Sequence, residues 1–194
     1  MMKTYHIKKG CTAFRPMASL FPALVYSGFS FTASFDSSCW FSSTEVDGDK
    51  DRADWLKLTG ITAAFSLNNQ RSALIAWRPT DVPDTFAITA YTNNKRGGWK
   101  IGGPGFKIAT VKAGEQFSGR VLFWHDPITL RPTVDYYIHT PSGTFTATHD
   151  FDKPWHCLYR EISPWWRGAN DQPGGYGGAA PKDATLQLDF RWEK

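Results

Sequence analysis

Two adjacent tryptophans, Trp165 and Trp166, open a stretch of Gly, Pro, Asn and Asp that runs on to Ala180. Neighbouring residues of an extended chain point to opposite faces. The pair therefore predicts one indole in a core and the other on an outer surface or in a groove. A ring held that way beside Tyr176, in the Gly-rich loop, is a platform for a flat ligand. A second group falls at alternate positions of strand-like segments: Arg78, Tyr91, Asp135, Tyr137 and His139. If those segments share one sheet, the five side chains converge on one face. Rings pack on sugar C–H groups and polar groups read hydroxyls, so the mixture suits a carbohydrate. Trp99, just after the turn 93–98, is a further platform.

Covalent chemistry finds fewer residues. Retaining glycoside hydrolysis needs two carboxylates about 5 Å apart, and inverting hydrolysis needs a wider pair. Asp135 and Glu161 are the carboxylates that fall near the candidate face, and the compact E-x-D-x-x-E pattern of jelly-roll glucanases does not occur. A polysaccharide lyase uses Tyr or His as base and Arg to neutralise a uronate. Arg78, Tyr137 and His139 are of those types, without the R-x-E-x-R and Q-I-H motifs of jelly-roll alginate lyases. G-x-S-x-G is absent, and His156 and Cys157, being neighbours, point apart on a strand rather than forming a dyad. Histidines at 6, 125, 139, 149 and 156 have no metal-ligand spacing. Asp47, Asp49 and Asp51 alternate like a calcium loop. However, the glycine is second and Leu58 stands twelfth, so a solvated loop is expected. Residues 102–105 (GGPG) make no phosphate loop, because Pro lacks a donor and no helix follows. The expectation is a non-catalytic protein with neither metal nor cofactor.

These residues need strands to hold them, and strand signals recur with turn signals between them while helical periodicity is nearly absent. Strands are predicted at 4–8, 29–36, 72–78, 85–92, 99–101, 106–111, 116–124, 132–140, 144–148, 157–162 and 185–192. Alternation assigns one apolar set per strand: Phe29/Phe31/Ala33/Phe35, Ala73/Ile75/Trp77, Phe86/Ile88/Ala90, Val134/Tyr136/Ile138 and Leu186/Leu188/Phe190/Trp192. Ten to twelve short strands at this spacing predict an all-β, antiparallel jelly-roll sandwich.

With 194 residues, the chain suits one domain spanning 1–194, with a core that needs no metal or disulfide. Aromatics make up 15% of residues, which excludes long disorder. The net charge of +4 permits an anionic partner, but the basic residues are scattered and no nucleic-acid-binding motif occurs. Cys11, Cys39 and Cys157 give neither a disulfide framework nor a zinc spacing. Buried free thiols are expected, with one bridge plus one thiol as the alternative. Residues 17–26 are apolar after Lys8, Lys9 and Arg15, but Pro22 interrupts them and 6–8 already reads as strand. Neither a signal peptide nor membrane insertion is expected, which points to a cytoplasmic or virion-associated protein.

Three stretches carry a resemblance: YHIKKG at 5–10, WLKLTGI at 55–61 followed by NNQRSALIAWR at 68–78, and PWWRG at 164–168 with GGAAPKDATLQL at 177–188. They resemble a set of small, functionally uncharacterised bacterial and phage-encoded β-sandwich proteins. The arrangement is similar to concanavalin A-like jelly rolls, the lectin and glucanase fold. That resemblance implies a sugar-binding cleft on a concave face and no fixed catalytic set. The set carries a histidine-rich patch where this chain has residues 63–69, so that patch is not carried over.

The reading that follows is a lectin-like protein whose partner is a glycan or polysaccharide. Trp166, Trp165 and Tyr176 would form the platform, and Tyr91, Tyr137, Arg78, Asp135 and His139 the polar readers. The alternatives are a phage capsid-decoration or tail component, with other virion subunits or its own copies as partners, and a polysaccharide lyase.

Overall fold

The computed structural model describes residues 2–17, 23–24, 27–42, 55–63, 71–94, 98–102, 109–151, 158–166 and 179–193. Among the described residues, thirteen strands form two sheets, and every pairing is antiparallel. Sheet A runs β1 (Lys3–Ile7), β13 (Ala184–Glu193), β3 (Gly28–Phe35), β9 (Gln116–His125), β10 (Pro132–Thr140), β11 (Gly143–Asp150). Sheet B runs β2 (Ala23–Leu24), β12 (Leu158–Ile162), β4 (Leu56–Ala63), β5 (Ser72–Pro79), β6 (Thr85–Asn94), β7 (Gly98–Ile101). One short strand, β8 (Ala109–Lys112), shares a side of β6 with β7. The chain is thus an all-β jelly-roll sandwich, as the spacing of its strand signals predicts.

Strand β4 was not predicted. Its sequence, LKLTGITA, holds an interior glycine, and its pairing with β5 slips between Lys57 and Thr59. A bulge puts two residues opposite one and breaks the two-residue period on which strand reading depends.

The predicted apolar sets of β3, β5, β6, β10 and β13 all enter or pack against the cluster between the sheets. A chain of rings crosses it: Phe35 of sheet A lies 4.8 Å from Trp77 and 4.6 Å from Phe86 of sheet B. Phe31 reaches the same cluster because Gly119 opposite it has no side chain; a Cβ there would sit 2.5 Å from the Phe31 ring. Cys39 is a buried free thiol that donates to the Thr185 carbonyl at 3.1 Å, and burial pushes its pKa up. Cys11 is free but exposed, contrary to the expectation of a buried thiol. Cys157 lies outside the described residues.

A polar chain also ties the sheets together. Thr92 of β6 meets the Tyr136 hydroxyl of β10 at 2.6 Å and His149 Nδ1 of β11 at 2.7 Å, all buried. His149 Nε2 bonds the Gly102 carbonyl, which only accepts, so Nε2 carries the proton. In the neutral ring Nδ1 then accepts from the Thr92 hydroxyl. The Tyr136 hydroxyl donates to Thr92 Oγ1 and lies 3.1 Å from the Tyr91 carbonyl. Burial, the largest cause, holds the His149 pKa below its ordinary 6.5, with Lys100 adding to the effect and the Gly102 carbonyl and Asp150 opposing it.

The unfolded histidine binds a proton near pH 6.5 while the folded one resists it, so folding stability is full above pH 6.5 and falls as pH drops below that value. The slope is at most about 1.4 kcal/mol per pH unit for one proton. Urea unfolding at pH 7.5 and at pH about 5.5 should show this loss, and His149→Gln should flatten it; an equal loss in the variant would assign it to other groups.

Candidate functional site

Trp166 fills the core. It is 0% exposed, its ring packs 5.6 Å from Trp77 and 5.3 Å from Phe41, and its backbone N–H donates to the Thr12 carbonyl at 2.8 Å. Trp165 accordingly faces the other way. It forms a two-way bridge with Lys57, N–H to carbonyl at 2.8 and 3.1 Å, which places it half-buried on the outer face of sheet B. The predicted division of the pair is therefore what forms, with Trp166 as the inner member and so no ligand platform. Tyr176 and the rest of 167–178 lie outside the described residues. Trp99 sits on β7 opposite Asn93, and its side chain is likewise outside them.

The five polar readers do not share a face. Arg78 is on β5 and Tyr91 on β6, both in sheet B, whereas Asp135, Tyr137 and His139 are on β10 in sheet A. Since Val134, Tyr136 and Ile138 point into the sandwich, their neighbours Asp135, Tyr137 and His139 point outward from sheet A. By the same rule Arg78 and Tyr91 point outward from sheet B. The condition on which they converge, one shared sheet, fails, and the sandwich core stands between the two groups. Asp135 and Glu161 are separated as well. Glu161 lies opposite Ile61 and on the same side as core Tyr159, so it faces inward at the sheet edge. Burial raises its pKa, against the pull of Lys3. Burial first, and the Glu161 charge second, push Tyr5 up to about 12.

The two outer faces differ in kind. On sheet A the charges are matched: Arg120 with Glu193 at 3.2 Å, Arg191 with Asp189 at 2.6 Å. Asp135 accepts from Thr148 at 2.6 Å and His139 bonds Thr144 at 2.9 Å. This is the pattern of a solvated sheet face. On sheet B the outer side chains form a second apolar cluster of Trp55, Leu74, Ala76, Ala87, Tyr91 and Ile162, with Ile101 against it. The sheet is apolar on both faces, where an ordinary exterior strand would show polar residues.

Register lays this face out as rows, ~7 Å apart for every second residue. The first row holds Trp55, Arg78 and Ala87; the second Trp165, Lys57, Ala76 and Thr89. The third holds Ile162, Gly60, Leu74, Tyr91 and Ile101, and the fourth Arg160, Thr62, Ser72 and Asn93. Two cations lie over tryptophan rings: Arg78 4.5 Å from Trp55 and Lys57 5.5 Å from Trp165. Burial lowers the Arg78 pKa, with Asp81 opposing that shift. Trp55, Lys57 and Arg160 are site residues the sequence reading missed. The signal was present in 55–58, where Lys57 alternates with Leu56 and Leu58 behind Trp55.

The face offers aromatic surface, cations and N–H donors. Among the described residues, no three His, Cys, Asp or Glu side chains come together as a metal site needs. No helix among them is long and apolar enough to cross a membrane.

No protein-family model and no curated protein matches the sequence. In backbone path the chain is similar to SCLam, a non-specific endo-β-1,3(4)-glucanase from family GH16. The identity is 12% and the TM-score 0.48, over 89% of this chain and 58% of that one, so the chain spans less than two thirds of the glucanase. It is also similar to the exolytic PL7 alginate lyase AlyA5 from Zobellia galactanivorans, with 7% identity and a TM-score of 0.47, over 90% of this chain and 76% of the lyase.

Gly60 is where this face admits no side chain. At φ +152 its Cβ would meet the Ala73 carbonyl oxygen at 2.3 Å and Leu74 Cδ2 at 2.7 Å. Gly114 has φ +80 but nothing within 4 Å. Urea melts should therefore show Gly60→Ala costing about 3 kcal/mol or more and Gly114→Ala only about 1. Equal losses would mean that the left-handed backbone angle alone, and not the close approach of the Ala73 carbonyl and Leu74, fixes the glycine.

Proposed function

We propose that residues 1–194 form one β-sandwich domain that binds a carbohydrate on the outer face of sheet B without transforming it. The observation that carries this reading is Trp165. Core burial of its neighbour turns it outward, and it lies half-buried on a face whose other large side chains are Trp55, Tyr91, Ile162 and Ile101. A ring held that way can pack on the C–H face of a sugar, with Lys57 over it and Arg78 over Trp55 as hydrogen-bond donors to the ligand. The described strands of sheet B carry one carboxylate, Glu161, and it faces inward, so this face holds no acid pair for hydrolysis among the described residues. The lyase set of Arg78, Tyr137 and His139 is split between the two sheets.

A glycan array followed by calorimetry tests the reading. The wild type should bind at least one glycan, and Trp165→Ala should weaken it about tenfold or more while Tyr137→Ala leaves it unchanged. The absence of any glycan ligand for the wild type would overturn the proposal. Ultraviolet-absorbing product from a uronate polymer would replace it with the lyase reading.

An assembly component is the second reading, and it draws on the β9–β10 connection. Ile128 and Leu130 there are 90% and 72% exposed. The tip is braced by the Asp126 carboxylate, which accepts from the N–H groups of Ile128 at 2.9 Å and Thr129 at 2.7 Å. Leu130 is held at φ 55. If this tip joins copies of the chain, sedimentation should show oligomers that Ile128→Ser with Leu130→Ser returns to monomer. A wild type that stays monomeric at high concentration would remove self-association.

A further inference from the structure

We propose that the glycan bound on sheet B is an acidic one, bearing carboxylate or sulfate groups that Arg160, together with Lys57 and Arg78, recognises; this rests on the carbohydrate reading of that face. The described strands of sheet B hold five basic residues, Lys57, Arg78, Lys100, Lys112 and Arg160, against one acid, Glu161. Lys100 lies opposite inward-facing Thr92 and pairs with Asp150 at 2.8 Å, and Glu161 also faces inward. The outward positions are therefore Lys57, Arg78, Lys112 and Arg160, with no carboxylate among them. Two acids in turns beyond the strand ends act nearby: Asp81 on Arg78, and Glu115, which accepts from the Lys112 backbone N–H at 2.8 Å.

Two donors on this face are unspent. Arg160 Nε and Trp165 Nε1 are both buried without a hydrogen-bond partner. They lie in the same column, Arg160 opposite Thr62 and Trp165 opposite Lys57, about 13 Å apart by strand spacing. A buried donor without an acceptor is costly, and the cost is recovered when a ligand brings one. A guanidinium is best satisfied by an oxyanion, because its fork of N–H groups matches carboxylate or sulfate oxygens. Sheet A is the internal contrast. Its outer basic residues Arg120 and Arg191 are already taken up by Glu193 and Asp189. Among the described residues, the excess of positive charge on the strands of sheet B is thus a property of that face, beyond the chain's overall net charge of +4.

Matched polymers separate charge from sugar: polygalacturonate against its full methyl ester, and dextran sulfate against dextran. The acidic member of at least one pair should bind about tenfold or more tightly than its neutral twin and weaken as salt rises. The two pairs tell carboxylate from sulfate. Arg160→Gln should remove most of that preference, bringing acidic binding down toward that of the neutral twin, and Arg160→Lys should retain part of it. Arg120→Gln, on sheet A, should leave both alone. Equal binding of acidic and neutral twins overturns the inference and leaves the carbohydrate reading standing. So does a loss on Arg120→Gln that matches the loss on Arg160→Gln, which would mark adhesion by net charge. Failure of every glycan, neutral or acidic, overturns the parent reading instead.

Discussion

The burial of Trp166 fixes more of this molecule than any other single packing event. Its ring meets Trp77, Phe41 and Phe14, three aromatics from separate parts of the chain. The segment that carries it is pinned on both sides, by Thr12 and Phe14 through backbone bonds at Trp166 and Pro164, and by Lys57 at Trp165. An extended segment held along both edges has no freedom to rotate. Once Trp166 points in, Trp165 has to point out, and the strip of sheet B that receives it is determined. The interior also binds the two sheets together through Phe35, which touches Trp77 and Phe86 at once.

The two sheets solve the same geometric problem differently. Sheet A has the apolar-in, polar-out alternation of a half-solvated sheet, and its outer charges pair with one another. Sheet B is apolar on both sides, so its outward residues are stabilised by contacts of their own rather than by water. There Lys57 and Arg78 lie on indole faces, which suits a weakly hydrated guanidinium. Polar satisfaction inside the sandwich follows the same economy of means. The Thr92, Tyr136 and His149 side chains form one connected chain between the sheets, and the neutral histidine closes it at the Gly102 carbonyl.

Much of the fold was legible, for a physical reason. Alternation in β3 and β13 runs unbroken for eight residues, and the sets assigned to β3, β6, β10 and β13 all enter the core or pack against it. Strand β4 was not legible because its bulge shifts the period and Gly60 weakens the strand signal. The site was read less well, since alternation sorts side chains between the faces of one strand but says nothing of which sheet the strand joins. Arg78 and Tyr137 each point outward as read, yet from opposite sides of the sandwich. That division is made by the long-range pairing of β9 with β3 in sheet A and of β4 with β12 in sheet B, which leaves no local mark. Trp55 and Lys57 were passed over because the strand that displays them was.

Separation of the two outer faces has a practical corollary. Packed sheets lie ~10 Å apart, so side chains on opposite exteriors are further apart still. Changes at sites that far removed, with no shared partner, generally combine additively. The Ser- and Thr-lined exterior of sheet A is therefore a place to attach a dye, a surface tether or a fusion partner. Such an addition would leave sheet B's chemistry undisturbed.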